Sequence, residues 1–366
     1  MEQLLFGQYI TLDVGIAIQV VILGFIGGIL SGFIGSGGAF FMTPGMMNLG
    51  VPGVVAVASN ITHKFGKAMV GSRRHGEMGN VDKRLSLYMV ATSFIGIRIA
   101  VVINSVLFHI EGDGHGGGGG SGASDLYISA VFICILSVVA LSMLRDVLRK
   151  GEAGQAPSRK LADALGKLYL PPYVYLKVAD VKVSLWIILV AGLATGYLAG
   201  TIGVGGFIGV PAMIYLFGVP TAVAAGSELY LAMYMGAWGA LNYAFQGMVD
   251  LRLTMLLYLG SLVGIFIGAY GVKVVKEVMI RLVTAVIILL CVTSRAIAVP
   301  IYLRQLGWLD MNPALDPYFN NASKVLLYAA GGSGVLIILY NVVKAYRQRR
   351  RIHLTLEKAG TLPEAA

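Results

Sequence analysis

The sequence predicts an all-α polytopic membrane protein: two inverted-topology repeats with short broken helices, about nine long and two short transmembrane segments. Three observations predict it. The 366-residue chain is 57% hydrophobic and 13% charged, with a mean hydropathy of +0.78; that charged fraction is about half of what soluble domains carry. Apolar windows such as 14–34, 183–202 and 325–343 approach or reach the ~20 residues that cross a hydrocarbon core. Finally, one stretch is written twice at a constant offset of 168. Ile34-Gly35-Ser36-Gly37-Gly38, Gly50-Val51-Pro52 and Ser59 return as Ile202-Gly203-Val204-Gly205-Gly206, Gly218-Val219-Pro220 and Ser227. Such internal echoes are the mark of transporter repeats.

In chain order, residues 1–150 form the first repeat. Run 14–34 is preceded by Glu2 and Asp13 and by no Lys or Arg, which sets it apart from a cleaved leader and predicts a retained helix. Run 39–49 spans only about 16 Å as helix against about 30 Å of hydrocarbon, so it is a short segment. Runs 53–70, 85–105 and 125–145 follow. Between the last two, His109 to Ser124 lacks Lys and Arg and is Gly-rich from His115 onward. It reads as a solvated outer loop, and that reading outweighs a metal site at His109, Glu111, Asp113 and His115. A basic connector occupies 151–182. The second repeat, 183–300, holds runs 183–202, 207–217 (short again), 221–243, 253–272 and 278–298. Residues 301–366 add an extra helix, 325–343, and a basic tail. Cys134 and Cys291 stand singly in apolar runs and read as small buried residues. No cofactor or metal is expected.

The net charge of +10 reflects topology rather than nucleic-acid binding, because Lys and Arg are confined to a few loops and the tail. Arg73, Arg74, Lys83 and Arg84 mark one inside loop, the connector another, Lys273 and Lys276 a third, and Lys344 to Arg351 an inside C-terminus. The crossings then balance only if the short helices carry the chain across, which puts the N-terminus outside. The two copies enter from opposite faces. Consistent with this, Arg73-Arg74-His75 becomes Leu241-Asn242-Tyr243 in the second copy, so the loop sheds its charge where it moves outside.

The Gly-x-Gly-Gly stretches are not nucleotide loops, since no strand precedes and no Lys-Ser/Thr follows. They break helices, and irregular backbone is tolerated in a membrane only beside protein or a water-filled cavity. Close packing of small residues is the competing reading. Matched breaks in inverted halves point to a central site with N–H groups suited to an anion. The candidate substrate-binding residues are therefore Gly37, Gly38, Gly205 and Gly206, with Ser59, Asn60, His63, Lys64 and Ser227 on the helices that follow. Lys64 and Lys67 could instead snorkel toward headgroups. Glu228 and Arg98 are isolated intramembrane charges, candidates for coupling or for an ion pair. Glu228 either carries a proton or pairs with a cation such as Lys64 or Arg98. Ser59, Asn60, Ser227 and Glu228 are expected to face one another. No nucleophile, base and orienting group lie at usable spacing, which argues against an enzyme.

Gly35-x-Gly37-Gly38 with Val51-Pro52, Ala56-x-Ala58-Ser59, and the echo Gly203-x-Gly205-Gly206, Pro211, Gly218-Val219-Pro220, Ala224-x-Gly226-Ser227 resemble the TauE/SafE family of sulfite and organosulfonate exporters. The resemblance covers about half of the chain. It implies a permease moving small sulfur-containing anions outward across the prokaryotic cytoplasmic (inner) membrane. The extra C-terminal helix, long basic connector and Gly-rich outer loop depart from the common pattern. Read beside the residues, it gives a secondary transporter working by alternating access, with the substrate anion and the lipid bilayer as partners and protons as the candidate coupling ion. The competing reading is a passive anion channel. Anion identity, direction, coupling ion and oligomeric state are not legible.

Overall fold

The computed structural model describes residues 9–34, 38–110, 122–150, 170–203, 205–275 and 277–358. In chain order these hold α1 (Val14–Ile34), α2 (Ala39–Asn48), α3 (Gly53–Glu77), α4 (Lys83–Ile110) and α5 (Gly122–Lys150). Then come strands β1 (Tyr173–Leu176) and β2 (Val181–Ser184), α6 (Leu185–Ile202), and α7 (Gly206–Pro211), which continues as a π-turn over Ala212–Leu216. The chain closes with α8 (Thr221–Phe245), α9 (Leu251–Val274), α10 (Glu277–Gln305) and α11 (Asp316–Lys358). The protein is a polytopic α-helical membrane protein. Among the described residues, seven helices are long and apolar enough to cross a membrane: α1, α4, α5, α6, α9, α10 and α11. The 25-residue helices α3 and α8 match them in length but are too polar to count by hydropathy, and they lie where that polarity is shielded. The hairpin in the connector was not expected from sequence, and the last helix begins well ahead of the expected run 325–343.

In lipid, helices associate through close packing rather than hydrophobic burial, so small residues decide who touches whom. Gly24, Gly28 and Gly32 of α1 lie on the backbone of Leu257, Ser261 and Ile265 of α9; a Cβ on Gly28 would stand 2.5 Å from the Ser261 carbonyl oxygen. Both series ascend together, so the two helices are parallel. Gly192, Gly196 and Gly200 of α6 meet Met89, Ser93 and Ile97 of α4 in the same way, each contact being the first set displaced by 168. At the centre α3 and α8 run antiparallel, with Ile61 against Gly239, Phe65 against Gly236, and His75 against Gly226.

The turns repeat as well. Gly50 and Gly218 take positive φ of 90° and 72°, a region that glycine occupies without strain. Pro52 and Pro220 then cap α3 and α8. Asp82 and Asp250 cap α4 and α9, accepting from Leu85 N at 3.1 Å and from Arg252 N at 2.9 Å. The second oxygen of Asp82 accepts from Val178 N and Ala179 N, which docks the antiparallel hairpin, Tyr173 opposite Ser184, over the start of α4. Helix α11 packs on α1, α2, α9 and α10, held by the Arg304–Asp316 ion pair and by Ser294 Oγ donating to the Ser323 carbonyl at 2.7 Å.

Candidate functional site

The antiparallel α3/α8 crossing brings Lys64 and Glu228 together, Nζ to Oε1 at 3.3 Å, with side chains only 7% and 1% exposed. Desolvating either charge alone is costly, and pairing offsets part of that cost. Backbone without side chains makes the room. A Cβ on Gly205 would lie 3.4 Å from Lys64 Nζ, and one on Gly209 would lie 3.2 Å from Glu228 Cγ and 3.4 Å from Thr195 Cγ2. Two oxygens of these side chains, Glu228 Oε2 and Thr195 Oγ1, are buried without a hydrogen-bond partner among the described residues.

One turn before Lys64, Asn60 ties the same region to the other short helix. Its Nδ2 donates to the Ala39 carbonyl at 3.0 Å and to Thr43 Oγ1 at 2.8 Å, and Thr43 Oγ1 donates to the last carbonyl of α6, Ile202, at 3.3 Å. Helix α6 ends there because Gly203 turns left-handed at φ 76°; a Cβ at that position would stand 3.2 Å from Asn60 Nδ2. Asn60 Oδ1 is a third buried oxygen without a partner among the described residues.

The same face of α3 continues in polar contacts. His63 Nε2 shares a hydrogen bond of 2.6 Å with Ser261 Oγ, and Lys67 Nζ donates to Ser31 Oγ at 2.6 Å. Lys67 thus turns inward to α1 rather than snorkelling outward. Tyr258 accepts from Gly66 N and donates to the Thr62 carbonyl, both at 3.1 Å.

Other expected site residues stand elsewhere. Ser59 and Ser227 do not face each other, because antiparallel packing puts them at opposite ends of the α3/α8 pair. Ser227 Oγ accepts from Asp82 N at 2.8 Å, and Ser59 Oγ meets the backbone of Asp250 at 3.4 Å. Each serine fixes the start of the following helix in the other copy. Arg98 donates to Asn242 Oδ1 at 3.1 Å rather than pairing with Glu228. Gly38 supports close packing, since its Cβ would fall 1.9 Å from the Gly27 carbonyl oxygen. Gly206 opens α7 and is buried. Gly37 lies outside the described residues, as do Glu111, Asp113 and His115 of the outer loop.

Sequence reasoning passed over Thr43, Thr195 and Arg295. The threonines gave no signal, being ordinary in apolar helices. Arg295 did, as an intramembrane charge of the same kind as Arg98. It is 1% exposed and donates from Nη1 to Asn48 Oδ1 at 3.2 Å and from Nη2 to Tyr302 Oη.

The arrangement offers a lysine amine and neutral hydroxyl and amide groups to an anion, and a carboxylate to a proton, beside a break in the helix. A family model described as "Sulfite exporter TauE/SafE" matches residues 20–294. The chain belongs to the sulfite exporter TauE/SafE family. It is similar to three Bacillus subtilis (strain 168) relatives. "Probable membrane transporter protein YdhB" is 22% identical over 72% of this chain and 93% of the relative. "Probable membrane transporter protein YjnA" is 25% identical over 69% and 89%, and "Probable membrane transporter protein YunE" 24% over 68% and 86%. No solved structure matches the chain. TauE/SafE membership together with the seven apolar helices makes this a multi-pass membrane transporter, a class of protein distinct from enzymes.

Proposed function

We propose that the protein is a secondary transporter of small sulfur-containing anions, sulfite or an organosulfonate, that exports them across the prokaryotic cytoplasmic membrane by alternating access. The observation that carries this reading is the buried Lys64–Glu228 pair beside the second helix break. A charge pair at the middle of a membrane core is costly and marks an ion or substrate path. Two inverted halves are supported by the helix directions: α1 parallel to α9, α4 parallel to α6, and α3 antiparallel to its own counterpart α8. That pattern fits a pseudo-two-fold axis perpendicular to the helices. With basic loops inside, the N-terminus lies outside and the C-terminus in the cytoplasm. The binding role falls on Lys64, Asn60 and the glycine break, with Glu228 as the proton carrier. Reconstituted proteoliposomes test this. Uphill sulfite or sulfonate accumulation under an imposed proton gradient is expected, and loss of it in Lys64→Gln. Ion currents far above carrier turnover would favour a channel instead.

A further inference from the structure

We propose that Lys64 is shared between Glu228 and the substrate: in the empty transporter the Glu228 carboxylate occupies the place of the anion, and the anion takes that place as Glu228 takes up a proton. This rests on the anion-carrier reading and adds the coupling step to it.

Three features of the site support the exchange. First, Lys64 is committed on one side only. Its Nζ donates to Glu228 Oε1, while Oε2 of the same carboxylate is buried with no partner among the described residues. A second anion on Lys64 would leave two negative charges on one directly paired ammonium, because Lys67, one turn further on, is held by Ser31; in a low-dielectric site that is unfavourable unless one charge is neutralised. Second, a candidate acceptor for the added proton lies across Gly209. Thr195 Oγ1 is buried with no partner among the described residues, and the Thr195 Cγ2 methyl and Glu228 Cγ flank the same point above Gly209, at 3.4 and 3.2 Å. A turn of the threonine side chain would present its hydroxyl to the O–H of a neutral Glu228 leaving Lys64. Third, the fold already accommodates a neutral planar group at the equivalent place. Glu228 is the offset mate of Asn60, whose carboxamide bonds α2 through Ala39 and Thr43. A protonated carboxyl has the same shape and can turn to the Phe207 carbonyl, the mate of Ala39, although the mate of Thr43 is Pro211, which offers no hydroxyl.

Among the described residues the charged and titratable surroundings of Glu228 are these, with Asp82 at the start of α4 bonding the adjacent Ser227. Helix α3 brings Lys64, and Lys67 one turn further on, held by Ser31. Helix α6 brings Thr195 and α7 brings Gly209. On its own helix Tyr230 and Tyr234 bond each other at 3.1 Å. The exchange balances: one proton is bound for each negative charge bound, and both are released together on the opposite face, so that the outward concentration gradient of the anion, not the inward proton gradient, drives export.

The test is anion binding by calorimetry on purified full-length protein, with methanesulfonate as the probe because its charge is constant through the neutral pH range. Wild type should lose affinity by about tenfold per pH unit on the alkaline side, the slope of one linked proton. Glu228→Gln should bind with no pH dependence, at least as tightly as wild type does in acid. Lys64→Gln/Glu228→Gln, which buries no unpaired charge and so should fold, should not bind. An unchanged pH slope in Glu228→Gln, or retained binding in the double variant, would overturn the shared lysine. Flat binding in wild type with no gain in Glu228→Gln would also overturn it, yet leave an anion carrier standing. A wild type that binds neither methanesulfonate nor sulfite at any pH would remove the carrier reading itself.

Discussion

The two short helices, α2 and α7, descend from the same repeated stretch and are built to different ends. All ten residues of α2 are buried. Its start sits directly on α1, where Gly38 meets Gly27 backbone to backbone. Asn60 holds its first turns, and its last residue, Asn48, is held by Arg295 and by Ser323 of α11 at 3.2 Å each. In the second copy the mate of Gly27 is Thr195 and the mate of Asn60 is Glu228. Threonine forbids the close backbone contact and leaves a bare hydroxyl; glutamate carries a charge, and it faces Lys64 rather than the helix backbone. Correspondingly α7 is a six-residue helix running into a π-turn, a distortion frequent at functional sites. Most of that π-turn is only partly buried. One copy is fastened by small-residue packing and by hydrogen bonds to amides, one of them from the Arg295 guanidinium; the other exchanges both for groups that can bind or titrate.

That contrast can be broken most directly at the packing contact. Gly38→Ala places a methyl group inside backbone that cannot yield, and it should destabilise the protein by about 3 kcal/mol, the upper end for overpacking. Gly205→Ala, whose Cβ meets the Ala199 Cβ at 2.8 Å and the flexible end of Met235 at 3.2 Å rather than backbone, should cost less, about 1–2 kcal/mol; unfolding of both variants in detergent measures the gap. Asn48→Ala should come next. It strips the acceptor from two buried donors at about 1–3 kcal/mol, and amide exchange should rise in α2 while α7 stays as it was. The smallest effect separates the two serines. Ser227→Ala removes a 2.8 Å bond and Ser59→Ala only 3.4 Å contacts. The first should cost about 1 kcal/mol and the second less, with anion affinity unchanged in both.

Much of the site was legible before any coordinates. Intramembrane charge singled out Lys64 and Glu228, and the glycine breaks gave their surroundings. Lys64 was one of the two cations named as a partner for Glu228; the other, Arg98, is taken by Asn242. The serines misled because symmetry of position was read as proximity in space. Equivalent residues near the starts of two antiparallel helices are carried apart by the packing. Thr195 was silent, since a threonine in an apolar helix is unremarkable until its glycine mate is seen in contact with α2.

The sequence by itself determined the class, from hydropathy over lengths that match a bilayer, and the breaks, from glycine and proline at fixed offsets; these are local properties of the chain. Tertiary structure alone decided which side chains meet. Register between helices is set by where small residues let backbones touch, and that register places Lys64 on Glu228 and sends each serine to the far end.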